Sequence, residues 1–171
     1  MTMIERPDAV ILPWRAAAQQ RPQTGNVLAV VGGKLDGAVL NLARALARDG
    51  DTCIDLVLLV EVLPTFPLLA YGRWMQAQGI DATLDAACEE CGDRTGEASI
   101  LLCRSAGAAM AAEARERGSA DLVIGAPAGG WWARRRAQAA IGYVQKHAEC
   151  RVFVVHVPPP PEPQVRRVAA R

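Results

Sequence analysis

Between Asp121 and Val157 the chain reads Asp-Leu-Val-Ile-Gly-Ala-Pro-Ala-Gly-Gly, then Trp131-Trp132 and a basic helical stretch, and closes on Cys-Arg-Val-Phe-Val-Val-His-Val. Two apolar runs too short to be helices, joined by a glycine-rich turn and a segment of helical period, make a strand, turn, helix, strand unit. Such a unit implies parallel strands, because the helix is the crossover that returns the chain to the same end of the sheet. The glycine-rich turn exposes backbone N–H groups at a helix start, an arrangement able to hold a phosphate.

The unit recurs upstream. Residues 26–31 are a continuous apolar run ending at Gly32-Gly33, as expected of a strand buried on both faces. Leu35, Val39, Leu42 and Leu46 then share one helical face, Asn41, Arg44 and Arg48 lie opposite, and Asp49-Gly50 supplies a stop. Residues 53–63 read as a second strand, 68–92 as a helical region interrupted near Gly79, and 99–103 as a third strand. In the next helix Ala108, Ala111 and Ala112 form a small-residue face, with Glu113, Glu116 and Arg117 expected to point outward and Gly118 to end it. Residues 122–124 are the fourth strand, Ala133, Ala137, Ala140, Ile141, Val144 and Ala148 line the fourth helix, and 152–157 are the fifth strand. Five apolar strands alternating with helices predict an α/β domain with right-handed crossovers and helices on both sheet faces. Ligands in such sheets bind at the carboxyl ends of the strands, where strand order reverses.

At 171 residues the chain suits one domain with tails. Residues 1–25, with three Pro and three Arg, read as an N-terminal leader or linker able to dock one short strand from the apolar patch at 9–14. The domain occupies 26–157, and 158–171, opening on four consecutive Pro, is expected to be an extended, disordered tail. Lys+Arg (19) balances Asp+Glu (18), so the global charge gives no attraction to nucleic acid. The start of the chain lacks the basic and apolar blocks of an export signal. The most apolar window, 54–63, carries Asp55 and Glu61 and falls short of the ~20 residues a spanning helix needs, so direct membrane insertion is not expected. Five cysteines (Cys53, Cys88, Cys91, Cys103, Cys150) with no small secreted framework suit a reducing cytoplasm without disulfides.

Over about residues 26–157 the chain resembles the universal stress protein family, through Ala-Val-Val-Gly-Gly after the first strand, Ala-Asp-Leu-Val-Ile-Gly before the loop, and His147-Ala-Glu-Cys150-Arg-Val-Phe-Val-Val at the end. The resemblance implies an open five-stranded parallel sheet of order 3-2-1-4-5 with helices on both faces, an adenine nucleotide alpha hydrolase-like fold. It also implies a homodimer paired through the last strand, which opens at Val152 and closes at Val157. ATP-binding members carry Gly, two residues, Gly, nine residues, then Gly-Ser or Gly-Thr, so that main-chain amides and a hydroxyl meet the phosphates. The matching positions here are Gly125, Ala128, Gln138 and Ala139, and Gly129 and Gly130 stand just past the second of them. The aspartate those members place at the end of the first strand corresponds to Val31, beside Gly32. The resemblance thus implies a non-catalytic regulatory domain whose ATP motif is degenerate and which needs no cofactor, with ATP or another nucleotide as the alternative ligand.

Other groupings narrow the chemistry. Arg134, Arg135 and Arg136 fall at the expected helix start, where cations oppose the macrodipole unless an anion joins them. Trp131 and Trp132, read as a loop tip, should cover something, with a protein partner or the domain's own surface favoured over a nucleobase. Cys88, Cys91, His147 and Cys150 have spacings compatible with zinc, but the two pairs belong to different helical regions, so no metal is expected. Gly32-Gly33-Lys34-Leu35-Asp36-Gly37 is similar to the loop of PP-loop ATP pyrophosphatases but lacks its two hydroxyls, which leaves an adenylating enzyme as a remote alternative. No Ser/His/Asp triad or Walker loop occurs, and His147 and His156 are the only histidines, so no catalytic role is assigned. A further alternative is the cytosolic regulatory domain of a transporter or sensor.

Overall fold

The computed structural model describes residues 4–6, 8–15, 25–32, 36–48, 51–77, 80–126 and 131–156. Within them, β3 (Val27–Val31), β4 (Ile54–Glu61), β5 (Thr95–Cys103), β6 (Asp121–Ala126) and β7 (Arg151–His156) are the five strands of the sequence pattern. They stand in the order β5-β4-β3-β6-β7, all parallel, which is 3-2-1-4-5 when counted from β3.

The leader does more than dock one short strand. β1 (Ile4–Arg6) and β2 (Ala9–Arg15) form a hairpin whose second strand pairs antiparallel with β5, extending the sheet to seven strands. Ala9, Val10 and Ile11 are buried there, and that burial is what draws a Pro- and Arg-containing segment into the sheet. β1 covers only Ala9, Val10 and Ile11, so Pro13 sits where β2 has a single neighbour and its missing N–H is tolerated. Val157 and the expected tail, 158–171, lie outside the described residues.

Alternate residues of each strand feed two cores. Ala29, Val31, Leu56, Leu58, Ile100 and Leu102 face α1 (Asp36–Leu46) and α3 (Asp81–Cys91), whereas Leu28, Val57, Leu101, Leu122 and Ile124 face α4 (Ala106–Glu116) and α5 (Trp131–His147). Helix α2 (Leu68–Ala77) lies on the α1/α3 side, its Gly72 close against Leu12 and Leu102. The interruption expected near Gly79 separates α2 from α3. A single 3-10 turn, Gly92–Arg94, follows α3, and its Arg94 Nη1 donates to the carbonyls of Ala47 (2.8 Å) and Arg44 (3.3 Å) at the carboxyl end of α1.

One expectation is reversed in α4. Glu113 and Arg117 do not point outward: Glu113 is 3% exposed, and only Glu116 keeps the expected orientation among the three. Arg117 Nε donates to Glu113 Oε1 at 2.7 Å and Nη2 to Ser99 Oγ at 2.6 Å, so the pair turns inward onto the sheet. The ion pair and the Ser99 hydrogen bond offset the cost of taking both charges out of water.

Beside that pair, buried Asp55 accepts from the Glu97 N–H at 2.8 Å and from Asn26 Nδ2 at 3.1 Å. The β4/β5 register slips between Ile54 and Leu56, and this bulge presents the Glu97 N–H to the carboxylate. Burial raises the Asp55 pKa above 3.8, opposed by the Glu97 N–H, by the charge of Arg117 and by Asn26. All these groups lie at the amino ends of the strands, remote from the ligand-binding end.

Candidate ligand site at the carboxyl end of the sheet

β3 is the strand at which the order reverses, since it pairs with β4 on one side and β6 on the other. From β3 the chain passes to α1 on one face, and from β6 to α5 on the opposite face. The two strands also part. β3 follows β4 along its whole length, to Val31 opposite Leu58, but its pairing with β6 stops at Ala29 opposite Val123. The last residues of each strand therefore flank an opening at the switch point, the place where doubly wound sheets take their ligands.

On the β3 wall, Val31 is buried in the core toward α1 and α3, so its side chain contributes packing there. Gly32 follows at φ +124°, and a Cβ at that position would meet Leu58 Cδ1 at 2.8 Å. Both reasons require glycine. The Gly32 N–H is directed at the Asp36 carboxylate, 3.1 Å from Oδ1 and 3.2 Å from Oδ2. The first turn of α1 thus supplies an anion to the glycine turn from within the chain. Sequence reasoning missed this role for Asp36; the signal was a carboxylate four residues beyond a glycine turn, at a helix start.

On the β6 wall, Gly125 and Ala126 are half-buried at the strand end. Ala128, Gly129 and Gly130 lie outside the described residues. α5 then begins at Trp131, which corrects the reading of Trp131 and Trp132 as a loop tip: they open the helix. Arg134 is the fourth residue of α5, with Arg135 and Arg136 following, both exposed. Gln138 and Ala139 are exposed positions seven and eight residues past the helix start, about 10–12 Å along the axis at ~1.5 Å per residue. Of the sequence-derived set, Gly32 and Gly125 stand at the ends of the two parting strands, while Gln138 and Ala139 stand well down the helix.

The rim beside the crevice is held by Arg104. Its Nη1 donates to the carbonyls of Val62 (3.3 Å) and Leu63, its Nη2 to that of Phe66 (2.7 Å), and its own N–H to Asp8 O (3.0 Å) in the β1–β2 turn. The loop after β4 is fixed in this way, with Leu63 and Phe66 exposed on it.

The remaining reactive groups lie elsewhere. His156 closes β7 opposite Ala126, on the far side of β6 from β3, and His147 stacks on Tyr143 at the end of α5 with ring centroids 4.1 Å apart. All five cysteines are free thiols. Burial pushes Cys91 up to about 11 and Cys103 up to about 12, which keeps both as neutral thiols. Among the described residues no three His, Cys, Asp or Glu side chains converge as a metal site.

This is a doubly wound α/β domain whose candidate ligand site is the switch point. No protein-family model and no curated protein matches the sequence. Solved structures match in fold. The chain is similar to a universal stress protein in complex with cAMP, with 16% identity and a TM-score of 0.60 over 78% of this chain and 98% of that one. It is similar to the universal stress protein UspA from Lactobacillus plantarum (15% identity, TM-score 0.57, 78% and 98% covered). It is also similar to the universal stress protein from Archaeoglobus fulgidus in complex with dAMP (16% identity, TM-score 0.52, 77% and 97% covered). The chain has the fold of the universal stress proteins.

Proposed function

We propose that this chain is a non-catalytic, cytoplasmic regulatory domain of the universal stress protein kind, whose switch-point crevice has lost the grip that a triphosphate requires. The observation that carries the reading is the start of α5 at Trp131. Residues 138 and 139, where the ATP motif places a glycine amide and a hydroxyl, are inside a continuous helix, where each N–H is committed to a carbonyl four residues back. Gln138 and Ala139 supply neither the glycine nor the hydroxyl. The Asp36 carboxylate at the Gly32 N–H adds a negative group on the opposite wall, which opposes an accumulation of phosphate charge.

A second reading keeps a nucleotide with a single phosphate. Two proteins of this fold are in complex with cAMP and dAMP, and the parted ends of β3 and β6 leave an opening for a ligand of that class. Titration calorimetry with magnesium-ATP, AMP and cyclic nucleotides separates the readings. Submicromolar, magnesium-dependent ATP binding would overturn the first, and absence of AMP and cyclic nucleotide binding would overturn the second.

The proposed assembly is a homodimer through β7. Among the described residues that strand has β6 on one side only, and Val152, Phe153, Val154 and Val155 are half-buried along it. An apolar strand with an unpaired edge is suited to strand addition from a second copy. Sedimentation in high salt is expected to show a dimer, and a monomer at micromolar concentration would refute this pairing. Among the described residues no helix is long and apolar enough to cross a membrane.

A further inference from the structure

Two helices on opposite faces of the sheet carry opposite charge. α5 contains Arg134, Arg135, Arg136 and Lys146 and no acidic residue, whereas α3 contains Asp81, Asp85, Glu89 and Glu90 and no Lys or Arg. α3 packs with α1 on one face, and α5 packs with α4 on the other. Arg136 and Lys146 are exposed on α5, as are Glu89 and Glu90 on α3. In a chain of net charge +1, this segregation makes the domain electrically polar across its thickness.

Shape follows the same division. Tyr143 stands 42% exposed among the α5 cations, its ring held by the stack on His147. On the opposite face an open groove of about 440 Å³ runs between α1 and α3, lined by Asn41, Arg44, Ala45, Glu90, Cys91 and Arg94. The two cations in that groove are already engaged: Arg44 lies 3.8 Å from Glu90, and Arg94 caps the end of α1. Glu90 is the one acidic residue of that lining, and the acidic surface of this face is α3 beside the groove, where Glu89 is exposed.

We propose that α5 of one copy docks on the α1/α3 face of a second copy, its cations against the acidic residues of α3 and Tyr143 directed into the groove. A rigid aromatic surrounded by complementary charge is a common anchor of protein contacts. The two surfaces differ, so the contact is heterologous: each copy offers one face and receives on the other, and assembly propagates beyond a dimer. It relies on exposed charge, so salt controls it, since the screening length falls from ~30 Å at ~0.01 M to ~3 Å at ~1 M.

The test is sedimentation velocity of the full chain across a concentration series. In about 20 mM salt the weight-average mass is expected to climb to about twice its value in about 0.5 M salt, or more. Two surface variants are made, Arg136→Glu with Lys146→Glu, and Glu89→Lys with Glu90→Lys, each checked for native circular dichroism. Either variant alone is expected to stay at its high-salt mass, because the two reversals cancel the net charge of the altered helix. An equimolar mixture is expected to assemble again, because each variant complements the other. A mass independent of salt, a single variant that assembles like the wild type, or a folded mixture that fails to assemble would each overturn the proposal. The β7 dimer, which survives high salt, is scored separately.

Discussion

Gly107 and Gly142 invite the same substitution with opposite results. Gly107 is the second residue of α4, where that helix crosses α5, and a Cβ there would lie 2.8 Å from Ala140 O, 2.9 Å from Tyr143 Cβ and 3.1 Å from Ala140 Cα. Carbon contacts relax at roughly 3.5–4.0 Å, and two of these three atoms are backbone, so the helices must part by about half an ångström or more. Overpacking of this kind costs about 1–3 kcal/mol. Alanine recovers up to ~1 kcal/mol of helix propensity, less in a first turn. Gly107→Ala is therefore expected to destabilise by about 1–2 kcal/mol. Gly142 lies within α5 on its exposed side with nothing within 4 Å, so Gly142→Ala should stabilise by about 0.5–1 kcal/mol. The two variants should differ by roughly 1.5–3 kcal/mol in urea unfolding at equal m value. At ~2–4 °C per kcal/mol for a chain of this size, that is a gap of several degrees in Tm. Equal stability of the two would refute the close helix contact.

Three further outcomes follow from the same packing. Burial holds the Asp55 pKa above 3.8, so its contribution is most favourable below 3.8 and is lost as pH rises through the raised value. Asp55→Asn should remove that dependence, the variant gaining relative to wild type in urea melts taken from about pH 3 to about pH 7, and the opposite slope would contradict it. With Cys91 at about 11 and Cys103 at about 12, roughly one thiol in a thousand or fewer is ionised at about pH 8, so both should resist alkylation until the protein unfolds. Prompt labelling of either in the native state, read by peptide mass spectrometry, would contradict their burial. Arg104→Ala should free the carbonyls of Val62, Leu63 and Phe66 at a cost of about 1–3 kcal/mol and speed hydrogen exchange in 62–67; unchanged exchange would show that the loop does not depend on it.

The parallel sheet was legible because its strands are buried on both faces and so appear as unbroken apolar runs, and the crossovers follow from chain direction. The hairpin at 4–15 was only half legible. Its apolar patch could be seen, but antiparallel docking depends on the free edge of β5, which no local signal announces. The inward turn of Glu113 and Arg117 was hidden for a related reason: an alanine-rich helix has little polarity pattern, and their partner Ser99 is supplied by another strand. Around the crevice, the spacing of Gly125, Gln138 and Ala139 was visible, but the onset of α5 at Trp131 decides where those residues stand.

Taken alone, the order of apolar runs and glycine stops determined the class of fold, the order of its five parallel strands through the family resemblance, and the end of the sheet where a ligand would sit. Tertiary structure decided what occupies that end and what surrounds it. The carboxylate of Asp36 reaches back to the Gly32 N–H, Val31 turns into the core, and the acidic and basic helices come to lie on opposite faces. Backbone direction and burial are written in local periodicity, whereas a charge's partner depends on residues brought close only by the completed fold.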